Sequence, residues 1–256
     1  MAIYQHNRAV TDAAIRRSGV MVVMNKKHVR TPDHLVSTMW EVYQAGYVAE
    51  CTFRIDTGLI REAMSELTRR RAEAPADRPC VLATGSIINP RELDEAIEMG
   101  FDAIVAPGNV MGGFGEGKDF VRIAHAAHIW CAPAVFTPTE FNYYLERADG
   151  LEPDAIKIFP ADSHGPSGIK SLLAPFARAR HVGKIVMPTG GVSDETGPHY
   201  QEAIASNGFE PVLGMSNPLK LVEQKLEPGN LGIIRESLAY FRKSFRPALN
   251  HNGHHG

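Results

Sequence analysis

No stretch of this 256-residue chain is apolar for the length a bilayer-spanning helix needs, and Met1 to Arg17 is polar rather than a signal-peptide core. Membrane insertion and secretion are therefore not expected, and a cytoplasmic location is. Excess positive charge is missing too: 27 Lys and Arg stand against 29 Asp and Glu. No polycationic surface is offered to a nucleic-acid backbone or an anionic membrane, so neither is an expected partner. Cysteine is scarce. Cys51, Cys80 and Cys131 each fall in a run that reads as a strand, and neither their odd number nor their spacing makes a disulfide framework. Free buried thiols in a reducing compartment are expected.

Two signatures of bound groups are also absent. The eleven histidines include no H-E-x-x-H, and His125 with His128 is an i, i+3 pair that reads as helix surface or core. The tail His251 to Gly256 reads as flexible, with adventitious metal affinity only. After the first apolar run the chain reads Met24-Asn25-Lys26-Lys27-His28, with no G-x-G-x-x-G, which argues against an open dinucleotide-binding sheet. Neither a metal nor an organic cofactor is expected.

What is present is a regular alternation. Hydrophobic residues at 44% and charged residues at 22% are ordinary for a globular protein, and the length suits one barrel-sized domain. Eight short apolar runs read as strands: Val20 to Met24, Val48 to Phe53, Val81 to Thr84, Ala103 to Ala106, Trp130 to Ala134, Ala155 to Phe159, Ile185 to Met187 and Val212 to Met215. Between them, helix starts are marked by Thr31-Pro32, Asn89-Pro90 and Thr137-Pro138, a capping residue followed by proline at the first helical position. Helices are expected to stop near Gly46 and Gly100.

Continuous apolar strands separated by helices imply parallel pairing buried on both faces. The expected fold is a (β/α)8 TIM barrel in one domain over residues 19–246, preceded by a helical extension over 1–18 and followed by a disordered tail over 247–256. The extension carries a helix around Thr11 to Arg17, and the last helix spans Pro228 to Pro247. Arg69 to Pro79 reads as a surface loop, and Gly108 to Lys118 as a glycine-rich loop after the fourth strand.

One residue breaks the apolar pattern sharply. Lys157 sits in the run Ala155-Ile156-Lys157-Ile158-Phe159-Pro160-Ala161, where an ammonium taken out of water is expected to lose its proton more readily than a free lysine, whose pKa is about 10.4. An amine of that kind attacks ketones. The alternative is a strand lysine whose head reaches solvent past apolar neighbours. In a barrel, chemistry collects at the C-terminal strand ends. The candidates there are Glu50, Arg54, Ser86, Pro107, Thr137, Lys157, Thr189, Gly190, Gly191 and Ser216. Glu50 and Arg54 are four apart and on an ideal strand share a face. Singly, Glu50 and Arg54 also read as an ion pair, Ser86 as a turn residue or cap, and the glycines as a tight turn.

These pieces, in this order, resemble the class I pyruvate aldolases that cleave 2-keto-3-deoxy-6-phosphogluconate (KDPG) and 4-hydroxy-2-oxoglutarate (KHG). The matching segments are Glu50-Cys51-Thr52-Phe53-Arg54, Gly85-Ser86-Ile87-Ile88-Asn89-Pro90, Pro107-Gly108, Thr137-Pro138-Thr139-Glu140, Lys157-Ile158-Phe159-Pro160-Ala161 and Pro188-Thr189-Gly190-Gly191-Val192. The resemblance implies that Lys157 is the Schiff-base residue, Glu50 the acid/base, and Arg54, with Ser86 in place of the usual threonine, the carboxylate anchor. It adds Pro107, Thr137 and Phe159 as substrate contacts, Thr189, Gly190, Gly191 and Ser216 on the phosphate side, a small 2-keto acid as substrate, and a homotrimer. Gly214-Met215-Ser216-Asn217 departs from the family's paired glycines, so a methionine side chain is expected to crowd the phosphate position. Met111 to Lys118 and Asp162 to Ser167 are insertions expected to overhang the mouth, with His164 either touching substrate or solvated. Two other outcomes stay open: a related Schiff-base decarboxylase or dehydratase, and a non-catalytic barrel that binds a sugar phosphate.

Overall fold

A computed structural model describes residues 7–113, 119–147 and 149–245. Its strands are β1 (Val20–Met24), β2 (Val48–Thr52), β3 (Leu82–Gly85), β4 (Ala103–Pro107), β5 (Trp130–Val135), β6 (Ala155–Ile158), β7 (Ile185–Pro188), β8 (Glu210–Pro211) and β9 (Leu213–Met215). The helices are α1 (Arg8–Ser18), α2 (Pro32–Gln44), α3 (Thr57–Glu73), α4 (Pro90–Glu98), α5 (Phe120–Ala126), α6 (Pro138–Leu145), α7 (Gly165–Leu173), α8 (Gly197–Ala205), α9 (Lys220–Lys225) and α10 (Leu231–Ser244). Every strand pairing is parallel, in the order β8-β7-β6-β5-β4-β3-β2-β1-β9.

The ends of this sheet meet. β9 pairs with β1 through Val20 and Leu213, while β8 pairs with β7 through Ile185 and Glu210. A bridge between Thr189 and Gly214 and the bond from Val212 N to Val186 O at 3.2 Å complete the ring. The eighth strand expected over Val212 to Met215 is β9, and a second short piece, β8, precedes it on β7; Val212 separates the two, and Pro211 at the end of β8 has no N–H to donate.

Period-two alternation sorts the strand residues into two separate cores. Val20, Val22 and Met24 face outward and pack with the helices, whereas Met21, Val48, Ala83, Val105, Ala132, Ala155 and Met187 fill the barrel interior. Ala14 and Ile15 of α1 join that interior cluster, so α1 closes the N-terminal end of the barrel. Its polar groups are tied in as well: Trp130 Nε1 donates to Asp12 at 3.0 Å, and Arg16 donates to Gly183 O at 2.9 Å and pairs with Glu210.

The expected helix starts are confirmed at atomic level. Thr31, Asn89 and Thr137 each cap the following helix with a side-chain oxygen, and proline stands in the first turn of each. Gly46 and Gly100 follow α2 and α4 with φ of 90° and 82°, a region that favours glycine. One loop expectation is corrected: α3 runs on through Glu73, into the segment read as a loop from Arg69. Arg69 and Arg70 bond Glu66 one turn earlier, which supports the added turn. Among the described residues no helix is long and apolar enough to cross a membrane. The expected tail, and residues 114–118 of the loop after β4, lie outside the described residues.

Candidate active site

Because Val48, Ala83, Ala155, Met187 and Val212 point into the barrel, the residues two further along their strands do so one layer nearer the mouth. Those residues are Glu50, Gly85, Lys157, Thr189 and Gly214. Lys157 on β6 is 7% exposed, with neighbours Ala134 on β5 and Met187 on β7. Glu50 on β2 is 1% exposed, between Val23 and Ala83. β2 and β6 lie across the barrel from one another. Burial pushes the Glu50 carboxyl above the usual carboxylate range, and the positive charge of Lys157 opposes that shift without cancelling it. Glu50 Oε2 has no hydrogen-bond partner, and neither do the buried hydroxyls of Thr52 and Thr189. Three orphaned polar atoms in one barrel end are costly to structure alone and are suited to meeting a polar ligand.

Glycine makes room for two of these groups. A Cβ on Gly85 would stand 2.1 Å from Glu50 Oε1, and a Cβ on Gly214 would stand 2.1 Å from Thr189 Oγ1. Phe159, half-exposed just beyond β6, places its ring centroid 5.5 Å from Lys157 Nζ. Pro107 ends β4 at an inward position and pairs with Ala134.

Arg54 departs from its expected placement. β2 ends at Thr52, and Ile55 N bonds Thr52 O at 3.0 Å in the turn that follows, so the ideal-strand argument linking Glu50 to Arg54 does not apply. Arg54 Nη2 instead reaches Glu92 Oε2 at 2.5 Å, with its side chain 46% exposed. Glu92 also accepts from Ile88 N at 3.0 Å in the first turn of α4. Burial acts to raise the Glu92 pKa, but the bonds from Arg54 and Ile88 outweigh it and hold the group low. Ser86 follows β3 at φ 59°, a left-handed conformation uncommon for a residue with a Cβ.

The turn after β7 is held from the lysine strand. Thr189 O accepts from Ala161 N at 2.8 Å and Gly190 O from Asp162 N at 3.1 Å. Gly191, at φ 67°, lies so close to Asp162 that a Cβ would fall 2.4 Å from the aspartate Cβ. Ser216 begins the 3-10 turn after β9, and Asn217 Oδ1 accepts from Asp194 N at 3.0 Å, joining the loops after β7 and β9. Met215 does not crowd this end. It is buried in the outer core with its Cε against Gly197 at the start of α8, because its strand neighbour Gly214 takes the inward position.

Two other expectations change. The Thr137 hydroxyl accepts from Glu140 N at 3.3 Å as part of a capping box, a structural commitment that leaves less of it for substrate. The insertion over 162–167 is a 3-10 turn running into α7, not a free loop. His164 within it meets Phe136 O through Nε2 at 2.9 Å and packs on the Phe136 ring at 4.5 Å. Sequence reading passed over Thr52, Gly85 and Glu92. Extending the period-two pattern from Glu50 and Ala83 reaches the first two, whereas no sequence signal joins Glu92 to Arg54. A surface cavity of about 320 Å³ opens at the opposite end of the barrel, beside Arg16, Arg180 and Lys184. Those charges already pair with Asp12, Glu146 and Glu152.

Comparison with known proteins identifies the family and the fold. Residues 11–210 match the family described as "Aldolase: KDPG and KHG aldolase". The KHG/KDPG aldolase of Escherichia coli K12 is 26% identical over 169 residues, 64% of this chain and 67% of that protein. The 2-keto-3-deoxy-6-phosphogluconate aldolase of Zymomonas mobilis superposes with a TM-score of 0.66 at 23% identity, covering 93% of this chain and 98% of that one. A KDPG aldolase from Legionella pneumophila, with pyruvate captured at low pH as a covalent carbinolamine, has a TM-score of 0.61 at 19% identity and covers 89% and 96%. With the family pattern spanning most of its barrel, the chain belongs to the KDPG and KHG aldolase family and is a carbon-carbon lyase.

Proposed function

We propose that this aldolase cleaves a 2-keto-4-hydroxy acid through a Schiff base on Lys157, with KDPG or a closely related sugar acid as substrate. The observation that carries the reading is the pair itself: a buried lysine across the barrel from a buried glutamate whose pKa is raised by its surroundings. A binding protein has no use for that costly arrangement. The carbinolamine captured on pyruvate in the Legionella pneumophila aldolase is the kind of adduct the reading requires.

In this mechanism the neutral Lys157 amine attacks the C2 carbonyl, the Glu50 carboxyl protonates the carbinolamine hydroxyl, and loss of water leaves a protonated imine and the Glu50 carboxylate. The Glu50 carboxylate takes the C4 hydroxyl proton, directly or through a water. The C3–C4 bond then breaks, its electrons passing into the imine to give an enamine, and the aldehyde leaves. A carboxyl with a raised pKa suits both directions of proton transfer, so Glu50 then returns the proton to C3. Water hydrolyses the imine and releases pyruvate. Arg54 binds the substrate carboxylate, and Glu92 fixes the plane of its guanidinium fork. Thr189 with Thr52 supplies hydroxyl contacts within the mouth. The turn Gly190-Gly191 and Ser216 offer N–H and O–H donors to a distal phosphate.

The test is to incubate the protein with pyruvate, reduce with borohydride and map the adduct by mass spectrometry. An adduct on Lys157, lost in Lys157→Met, is expected. A folded preparation that forms no adduct there would sink the Schiff-base reading.

A further inference from the structure

At the N-terminal end of the barrel, three side chains from three parts of the chain converge. His125 comes from α5, Cys131 from β5, and Asp154 immediately precedes β6. His125 Nε2 lies 3.1 Å from Asp154 Oδ2 and 3.5 Å from Cys131 Sγ, and the three ligand atoms lie within 4.8 Å of one another. Both His125 and Asp154 side chains are almost fully buried, and Cys131 is fully so. Of the two readings open to His125, helix surface or core, the structure shows the buried one.

A Cys-His-Asp proton relay does not fit this geometry. Such a relay uses one ring nitrogen for the nucleophile and the other for the carboxylate, whereas here Nε2 faces both. Sulfur, nitrogen and oxygen atoms this close together suit instead the corners of one coordination polyhedron. Around tetrahedral zinc, with Zn–N and Zn–O about 2.0–2.1 Å and Zn–S about 2.3 Å, the N···O edge is ~3.4 Å and the S···N edge ~3.6 Å. Two of the observed edges, 3.1 and 3.5 Å, need to open by only a few tenths of an ångström, and the third, between Cys131 Sγ and Asp154 Oδ2, lies within 4.8 Å.

We propose that His125 Nε2, Cys131 Sγ and Asp154 Oδ2 bind a zinc-class divalent cation, with water as the fourth ligand. The sulfur and imidazole donors select a borderline ion over magnesium or calcium. On binding, the Cys131 thiol gives up its proton to solvent and the imidazole coordinates in its neutral form, so thiolate and carboxylate together balance the ion's two charges. The carboxylate is already oriented by its outer partners. Arg8 Nη2 donates to Asp154 Oδ1 at 2.7 Å, Cys131 N to Oδ2 at 2.9 Å, and Arg8 Nε to Oδ2 at 3.3 Å. The strongest of the Arg8 bonds falls on the oxygen that is not a ligand, so metal binding and the Arg8 contact are compatible. The site lies at the far end of the barrel from Lys157 and takes no part in the aldol chemistry. An ion there joins α5 to β5 and, through Asp154 and Arg8, to α1, which makes it a staple for the helix that closes the barrel.

The experiment adds Co²⁺ to the full-length protein and reads its absorption. A thiolate-to-cobalt charge-transfer band saturating near one equivalent, and displaced by Zn²⁺, is expected, together with a rise in Tm on adding Zn²⁺. Cys131→Ser should lose both the band and the Tm rise, and His125→Ala should weaken binding at least ~100-fold, more than loss of an outer partner costs. Metal captured by the terminal histidines gives no charge-transfer band, because that segment has no cysteine. Circular dichroism and the metal-free Tm establish that each variant is folded. The proposal is overturned by the absence of the band in the wild type, by a band that survives Cys131→Ser, or by an equal Tm rise in the variants.

Discussion

The Oε1 atom of Glu50 rests against the backbone of Gly85 on the neighbouring strand, where any side chain would collide with it. This contact decides which residue may follow Ala83 at the inward position of β3. It also restricts how the carboxylate can lie in the barrel. Gly85→Ala introduces a Cβ 2.1 Å from that oxygen. Glu50 must then swing away, so kcat is expected to fall ~10–100-fold, in line with loss of a well-placed acid/base. Borohydride trapping on Lys157 should persist. Single-turnover kinetics beside the trapping yield separates these steps, and equal losses in both would contradict the assignment.

Glu50→Gln should keep the Lys157 adduct and lower kcat by ~10²–10⁴-fold, the usual worth of a general acid/base. Its stability should move the other way. Burial raises the folded pKa of Glu50, so the wild type loses stability as pH rises from the unfolded value through the folded one. The glutamine variant should therefore have the higher Tm at neutral pH, with the gap closing in acid. Thermal melts of both proteins across pH 4 to 8 check the sign.

Arg54 and Glu92 should separate by kinetic signature. Arg54→Ala removes a charge-assisted bond worth about 1.5–3 kcal/mol, so KM for the keto acid should rise ~10–150-fold with a smaller change in kcat. Glu92→Gln keeps an acceptor for Ile88 N and loses only the ionic hold on Arg54. A change in KM of ~2–5-fold is expected there, as for a half-exposed ion pair. A larger loss in Glu92→Gln than in Arg54→Ala would show that Glu92 acts by another route.

The distal end of the pocket can be tested with paired phosphorylated and unphosphorylated substrates. Gly191→Ala places a Cβ 2.4 Å from that of Asp162 at a φ of 67°, and should distort the turn. Its kcat/KM for the phosphorylated substrate should drop ~10-fold or more, with the unphosphorylated substrate less affected. Met215→Leu, whose side chain faces the outer core, should leave the ratio of the two within ~2-fold. A ratio near unity in the wild type would remove the phosphate from the proposed substrate.

The chain by itself determined a great deal of this. Alternating apolar runs and Thr-Pro or Asn-Pro helix starts specify parallel strands and crossover helices, because period and capping are local properties read within a few residues. Lys157 was visible for a related reason: a charge inside an apolar run is a cost that local context cannot explain. Thr52 lay within reach of the same reasoning, two residues after Glu50. Tertiary structure decided the rest. That Arg54 leaves the strand to meet Glu92, that Gly85 and Gly214 make room for Glu50 and Thr189, and that Met215 turns outward all depend on where a strand ends and what lies across from it. The meeting of His125, Cys131 and Asp154 is of the same kind. These are contacts between residues far apart in sequence, and only closure of the barrel brings them within reach of one another.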